Sequence, residues 1–375
     1  MADSLQRLEI PQSSSTVDVY IIDNGASLSG LPGSSMMDPV LPGYEEGGRV
    51  PSYAFLIHHK PTNVRLLFDL SVRTDWKSDF PPGFVNGVQR MGLEVHVGKD
   101  IADVLIENFV NPGEINAIIF SHHHFDHTGD TGRFPSSTKL LVGPGYKKAY
   151  FPGWPANPRQ FETISDLYER RETIELDFSP DHPKVLSIGN FQAYDYFSDG
   201  SFFILSTPGH TIGHLSALAR TTSEDGDWST FIFMGGDIVH SNAVFRPTLK
   251  YPLPSTILAP NGRPFASHTC PSERFAQMHP LYLEPGGGML SRTTPFSQVA
   301  GPEHNLAESQ RSANKLANFD GEENILTIPA HDVSLRDVLD FFPRQANRWK
   351  EKGCKKEGHW RWLAPCMQSS DTSKL

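Results

Sequence analysis

The stretch Ile115–His127, INAIIFSHHHFDH, decides how the rest of the chain is read. Its first half is a continuous apolar run of the kind that fills a strand covered on both faces. Its second half packs His122, His123, His124, Asp126 and His127 into six residues. Such a cluster cannot be core, because buried imidazoles and carboxylates need partners. Both groups are ligands that zinc accepts. In an extended segment His122 and His124 project to one side and His123 to the other, while Asp126 and His127 follow the turn. One short segment can therefore serve two metal ions.

The same form, an apolar strand that ends in a potential ligand, recurs downstream. FFILSTPGHTIGH (202–214) offers His210, TFIFMGGD (230–237) offers Asp237, and ILTIPAHD (325–332) offers His331. VRLLFDL (64–70) ends near Asp69, which could orient a ligand imidazole from behind. Further strands are expected at 16–23, 53–59, 138–142, 173–178, 191–197 and 215–220, and helices at 99–110, near 162–171, at 306–319 and at 334–352. Strands outnumber helices and come in two batches. That pattern predicts an α/β fold with two packed sheets and helices outside.

HHHFDH, TPGHTIGH, GGD and PAHD, in this order and at these strand ends, resemble the metallo-β-lactamase superfamily over roughly residues 16–350. The resemblance implies a four-layer αβ/βα sandwich of two mixed sheets with the site at one edge. It also implies two zinc ions per chain: His122, His124 and His210 on the first, Asp126, His127 and His331 on the second, and Asp237 bridging them with a hydroxide between. The implied chemistry is hydrolysis of a lactone or related cyclic carbonyl compound, with Asp126 passing the proton. Lactam hydrolysis and thioester hydrolysis are the alternatives, and a non-enzymatic metal-binding scaffold is the reading from another class. The full ligand set argues against the branch that uses one iron. Bacterial lactonases of this superfamily commonly carry Tyr three residues after the bridging Asp. His240 stands there instead and is expected to donate to the oxyanion as a catalytic residue.

Composition narrows the remaining choices. The 31 glycines and 30 prolines of the 375 residues suit a loop-rich globular enzyme. A net charge of −10 is a poor match to a phosphate backbone, so nucleic acid is not an expected partner; a small-molecule substrate is. No apolar run reaches the length of a membrane span, and no secretory signal is expected. Three cysteines, without CxxC spacing, read as reduced thiols. Residues 1–15 are expected to be a flexible lead-in, 16–365 one hydrolase domain with a Pro-rich insertion near 241–305, and 366–375 a flexible tail. The last three residues, Ser373, Lys374 and Leu375, match the tripeptide read by the peroxisomal import receptor, so a peroxisomal location is expected, with the cytoplasm as the alternative. Loops at strand ends carry specificity, and Tyr44, Phe125, Tyr150, Trp154 and Arg246 are the candidate pocket residues.

Overall fold

The computed structural model describes residues 8–223, 229–260 and 268–368. Two six-stranded sheets dominate it. The first holds β1 (Asp18–Ile22), β2 (Ala54–His59), β3 (Val64–Phe68), β4 (Ile115–Ile119), β5 (Lys139–Val142) and β6 (Thr173–Glu175), side by side in chain order. β1 to β3 run antiparallel and β3 to β6 parallel. The second holds β7 (Val185–Ile188), β8 (Phe191–Asp195), β9 (Phe202–Ser206), β10 (Leu215–Arg220), β11 (Phe231–Met234) and β12 (Ile325–Ile328), antiparallel except for the β11–β12 pair.

The central strands, such as β9 and β11, are apolar because both faces of each sheet are covered. In β9, Phe202 and Ile204 point into the core between the sheets, which also takes Phe55, Phe68, Ala117 and Ile119 from the first sheet. Phe203 and Leu205 point the other way, into a core shared with Ala313, Leu316 and Phe319 of the helix Leu306–Asp320. On the far side of the first sheet, Leu67, Ile118 and Leu140 meet Trp76, Phe80, Ile101 and Leu105. The four layers are those of an αβ/βα sandwich.

Register places the strand ends. Phe68 pairs with Ile119, so Asp69 emerges level with the segment that follows β4. Met234 pairs with Ile328, so the turns carrying Asp237 and His331 leave the second sheet side by side.

Several expectations need correction. Residues 334–352 form turns rather than a helix. There, Phe342 and Ala346 donate backbone N–H groups to Ile21 and Val19, and the Asn347 amide bonds Val19, Val17 and Thr221. The segment thus satisfies the free edge of β1, which a helix could not do. Near 162–171 there is only a single turn, Ser165–Leu167. Residues 8–15 are tied down: Leu8 is buried in the core, and Arg220 donates to the Pro11 carbonyl. At the other end, Cys366 is buried within the helix Ala364–Gln368. Ser373, Lys374 and Leu375 lie outside the described residues. The insertion holds a short hairpin, Thr256–Leu258 with Thr269–Pro271, and sends Leu253, Phe275 and Phe296 into the core beside Trp360 and Trp362.

Candidate metal centre

After β4 the chain bends at Ser121 and His123, is extended at His124 and then closes into a one-turn helix, Phe125–Thr128. His122 and His124 turn inward. His123 turns away and stacks on Tyr150, ring centroids 3.8 Å apart. The turn brings Asp126 and His127 round to the same cavity. From the second sheet come His210 in the β9–β10 loop, Asp237 after β11 and His331 after β12. Their ligand atoms fall into two groups: His122, His124, His210 and Asp237, and Asp126, His127 and His331, each group within 4.8 Å.

The two oxygens of Asp237 face both groups. Oδ2 lies 3.7 Å from Nε2 of His122 and of His210, and 3.3 Å from Nε2 of His331. Oδ1 lies 3.1 Å from His127 Nε2 and 3.2 Å from His331 Nε2. Asp126 Oδ2 completes the second group at 3.6 Å and 3.5 Å from the same two nitrogens. Ligands at about 2.0–2.1 Å in a tetrahedron stand roughly 3.3 Å apart, so both sets have the spacing of a metal's coordination shell. Despite these approaches, His122 Nε2, His127 Nε2 and Asp237 Oδ1 are buried with no hydrogen-bond partner. Buried polar atoms left in that state are costly, and a pair of cations would satisfy all three.

On four of the rings the opposite nitrogen is engaged, which fixes the orientation of those rings. His127 donates Nδ1–H to Asp69 at 2.9 Å, and Asp69 also accepts from the Ser121 N–H and hydroxyl at 2.6 and 2.7 Å. His331 donates to the Pro51 carbonyl at 2.6 Å, His210 to Glu303 at 3.1 Å, and His122 meets the Ser121 hydroxyl at 3.0 Å. Outer contacts of this kind turn Nε2 toward the metal. Burial pushes the His122 and His124 rings well below the usual imidazole range, which keeps them neutral, as ligands must be. For Asp237 burial acts the other way, but the protons that His127 and His331 hold outweigh it and keep the carboxyl well below its usual range; a metal taking those two rings as ligands would release the protons.

Two local devices support the turn before Asp237. His214 accepts the Asp237 N–H at 3.1 Å. Gly236 has a φ of +54°, and a Cβ there would lie 2.7 Å from Ser121 Cβ, so only glycine lets this turn approach the β4 end.

His240 lies at the rim, Nε2 3.3 Å from Asp237 Oδ2 and Nδ1 3.4 Å from Glu303 Oε1. Burial disfavours its charge, yet the hydrogen bonds to Asp237 and Glu303 lift its pKa to about 10. The pocket candidates fare less well. Arg246 is buried against Asp320 at 2.7 and 2.8 Å and presents nothing to a substrate. Tyr44 gives its hydroxyl to the Trp362 carbonyl and anchors its own loop. Phe125 packs away from the centre, against Trp76, Phe80 and Phe84. Trp154 is half-buried and packs against the outer core of the first sheet. Tyr150 reaches the centre only through His123. Glu303 was missed: it lies at the end of the Pro-rich insertion, with no apolar strand before it to mark it as a site residue.

Residues 43–221 match the metallo-beta-lactamase superfamily. The chain is 41% identical to the gamma-lactamase FDB1 of Fusarium pseudograminearum (strain CS3096), over 94% of this chain and 83% of that protein. It is 39% identical to the metallo-hydrolase mfmC of Annulohypoxylon moriforme, over 94% and 88%. In fold it is similar to an N-acyl homoserine lactone hydrolase solved with N-hexanoyl-L-homoserine at its catalytic metal centre (TM-score 0.53, 17% identity, covering 88% of this chain and 99% of that one). The strand-end ligands, the sandwich that carries them and the full-length likeness to the fungal hydrolases agree, and the chain is a hydrolase that belongs to the metallo-beta-lactamase superfamily.

Proposed function

We propose that the chain is a dinuclear zinc hydrolase that opens a small cyclic carbonyl compound, a lactone or a lactam. The observation that carries this reading is the place of Asp237 between the two groups of imidazoles, its carboxylate 3.7 Å from Nε2 of His122 and His210 and 3.1 and 3.2 Å from Nε2 of His127 and His331. Two zinc ions held there would supply hydroxide at neutral pH and polarise the substrate carbonyl. The chain's own residues do the rest. Asp69, Ser121, Pro51 and Glu303 hold the ligand rings in one tautomer and orientation. Asp126, at the mouth of the second group, is placed to take a proton and return it to the leaving group. His240 is placed to donate to the carbonyl oxygen as negative charge develops.

Likeness to the gamma-lactamase FDB1 over nearly the whole chain moves the lactam reading ahead of the lactone. An amine leaving group needs a proton more than an alkoxide does, which gives Asp126 the larger share of the work in that case. The test is a panel of γ-lactams, γ- and δ-lactones, thioesters and phosphodiesters offered to the zinc-loaded protein. Turnover of a cyclic amide or ester, absent in Asp237→Ala, is expected. Turnover confined to thioesters or phosphodiesters contradicts the proposal.

A further inference from the structure

We propose that Glu303 is a positioning residue that clamps His210 and His240 together and makes the end of the insertion part of the metal centre. This rests on the reading of His122, His124, His210 and Asp237 as a metal seat. The carboxylate is almost fully buried, 2% exposed, and among the described residues its charged partners are histidines, His210 and His240. Its Oε2 accepts from His210 Nδ1 at 3.1 Å and from the Ser309 hydroxyl at 2.7 Å, while Oε1 lies 3.4 Å from His240 Nδ1. A buried carboxylate with two imidazoles as its cationic or dipolar partners is costly unless those partners stay in place. Here the partners are a candidate metal ligand and the residue at the oxyanion position.

The backbone around it is built for the same purpose. His304 N–H donates to the His210 carbonyl and Asn305 N–H to the Gly209 carbonyl, both at 2.9 Å, and the Ser312 hydroxyl reaches the Pro208 carbonyl at 2.6 Å. Residues 208–210 are thus laced to the start of the helix Leu306–Asp320. Gly209, with φ +138°, permits the approach: a Cβ there would lie 2.3 Å from Ser309 N. Two elements remote in sequence meet without a gap at the point where Glu303 enters. With Glu303 accepting from Nδ1, His210 turns Nε2 into the cluster, 3.1 Å from His124 Nδ1 and 3.7 Å from Asp237 Oδ2. The same carboxylate sets the plane of His240, whose ring lies 4.8 Å from that of His210.

The experiment compares metal affinity in wild type, Glu303→Gln, Glu303→Ala and Asn305→Ala. Each is loaded with zinc and titrated with a chromophoric chelator, and folding is followed by circular dichroism. Asn305 caps the helix through its side chain, which accepts from Glu308 N–H. Its loss weakens the same segment without touching the carboxylate. Loss of an outer contact to a ligand histidine typically weakens metal binding 10–100-fold, and that loss is expected for one zinc equivalent in Glu303→Ala. Glu303→Gln, which keeps an acceptor for Nδ1–H but no charge, should lose less, and Asn305→Ala should hold both ions as wild type does. Wild-type affinity in both Glu303 variants overturns the proposal, and so does equal metal loss in Asn305→Ala. A wild type that takes fewer than two ions refutes the dinuclear reading instead; the role of Glu303 is then scored on the ion that His210 holds.

Discussion

His240 stands where the buried centre opens. Its side chain is 19% exposed, whereas those of His210 and Asp237 are 5% and 4%. A residue at that boundary can meet a substrate without leaving the cluster, and its link to Asp237 keeps the ring near the reacting carbonyl. If it donates to the oxyanion, His240→Ala should lower turnover about 10²–10³-fold with metal content unchanged, and Gln should restore part of the loss. Turnover within about threefold of wild type in both variants, measured at known zinc content, leaves His240 only a bracing role. All seven ligand candidates were legible in the sequence, because a His or Asp after an apolar strand has few other reasons to be there. Asp69 was legible for the same reason. Glu303 and Ser121 were not, since their roles depend on contacts across the sheets. Arg246 can be read from the sequence as a substrate anchor or as the partner of an acid, and only the fold shows Asp320 facing it.

Elements were read with uneven success, and the failures share a cause. The sheet strands expected along the chain came through because their buried positions are apolar, in unbroken runs as in β9 and β11 or in alternation as in β8. The stretch 334–352 has helical periodicity but spends its backbone on the free edge of β1, a demand that no local pattern records. Asn347 carries much of that attachment through its bonds to Val17, Val19 and Thr221. Asn347→Ala should cost about 1–3 kcal/mol for each buried group it leaves unpaired, read as a lower urea midpoint. Arg246 and Asp320 form a buried pair that joins the insertion to the helix Leu306–Asp320. Arg246→Ala should destabilise by about 3–5 kcal/mol, while KM for the hydrolysed substrate stays as it was. Beside them, Lys355 donates to the carbonyls of Asp320, Glu322 and Ile325. Burial, the largest effect, pushes its pKa down to about 8. The unfolded chain holds that proton to about pH 10.4, so between pH 8 and 10 it binds more protons than the folded chain, and stability gains with rising pH. Subtracting the same measurement on Lys355→Met isolates this contribution: the wild type should gain on the variant as pH rises from 8 to 10, and a flat difference would rule it out.

At the scale of the whole molecule the centre joins two halves. His122, His124, Asp126 and His127 hang from the first sheet; His210, Asp237 and His331 hang from the second. Ions bound there would tie the sheets at one edge, adding to the apolar core between them. Because a ligand that binds only the folded state stabilises it by RT ln(1 + [L]/Kd), free zinc at about 1,000 times Kd should contribute about 4 kcal/mol. Chelation should therefore lower the melting temperature measurably, and Asp237→Ala should abolish most of that difference. The most direct test of the whole account is the metal content of the purified protein, measured by elemental analysis after dialysis against buffer with limiting zinc. Two equivalents of zinc per chain, falling to one or none in Asp237→Ala together with hydrolysis, is the result predicted. A wild-type chain that holds at most one tightly bound ion, or an Asp237→Ala variant that keeps both, would contradict it.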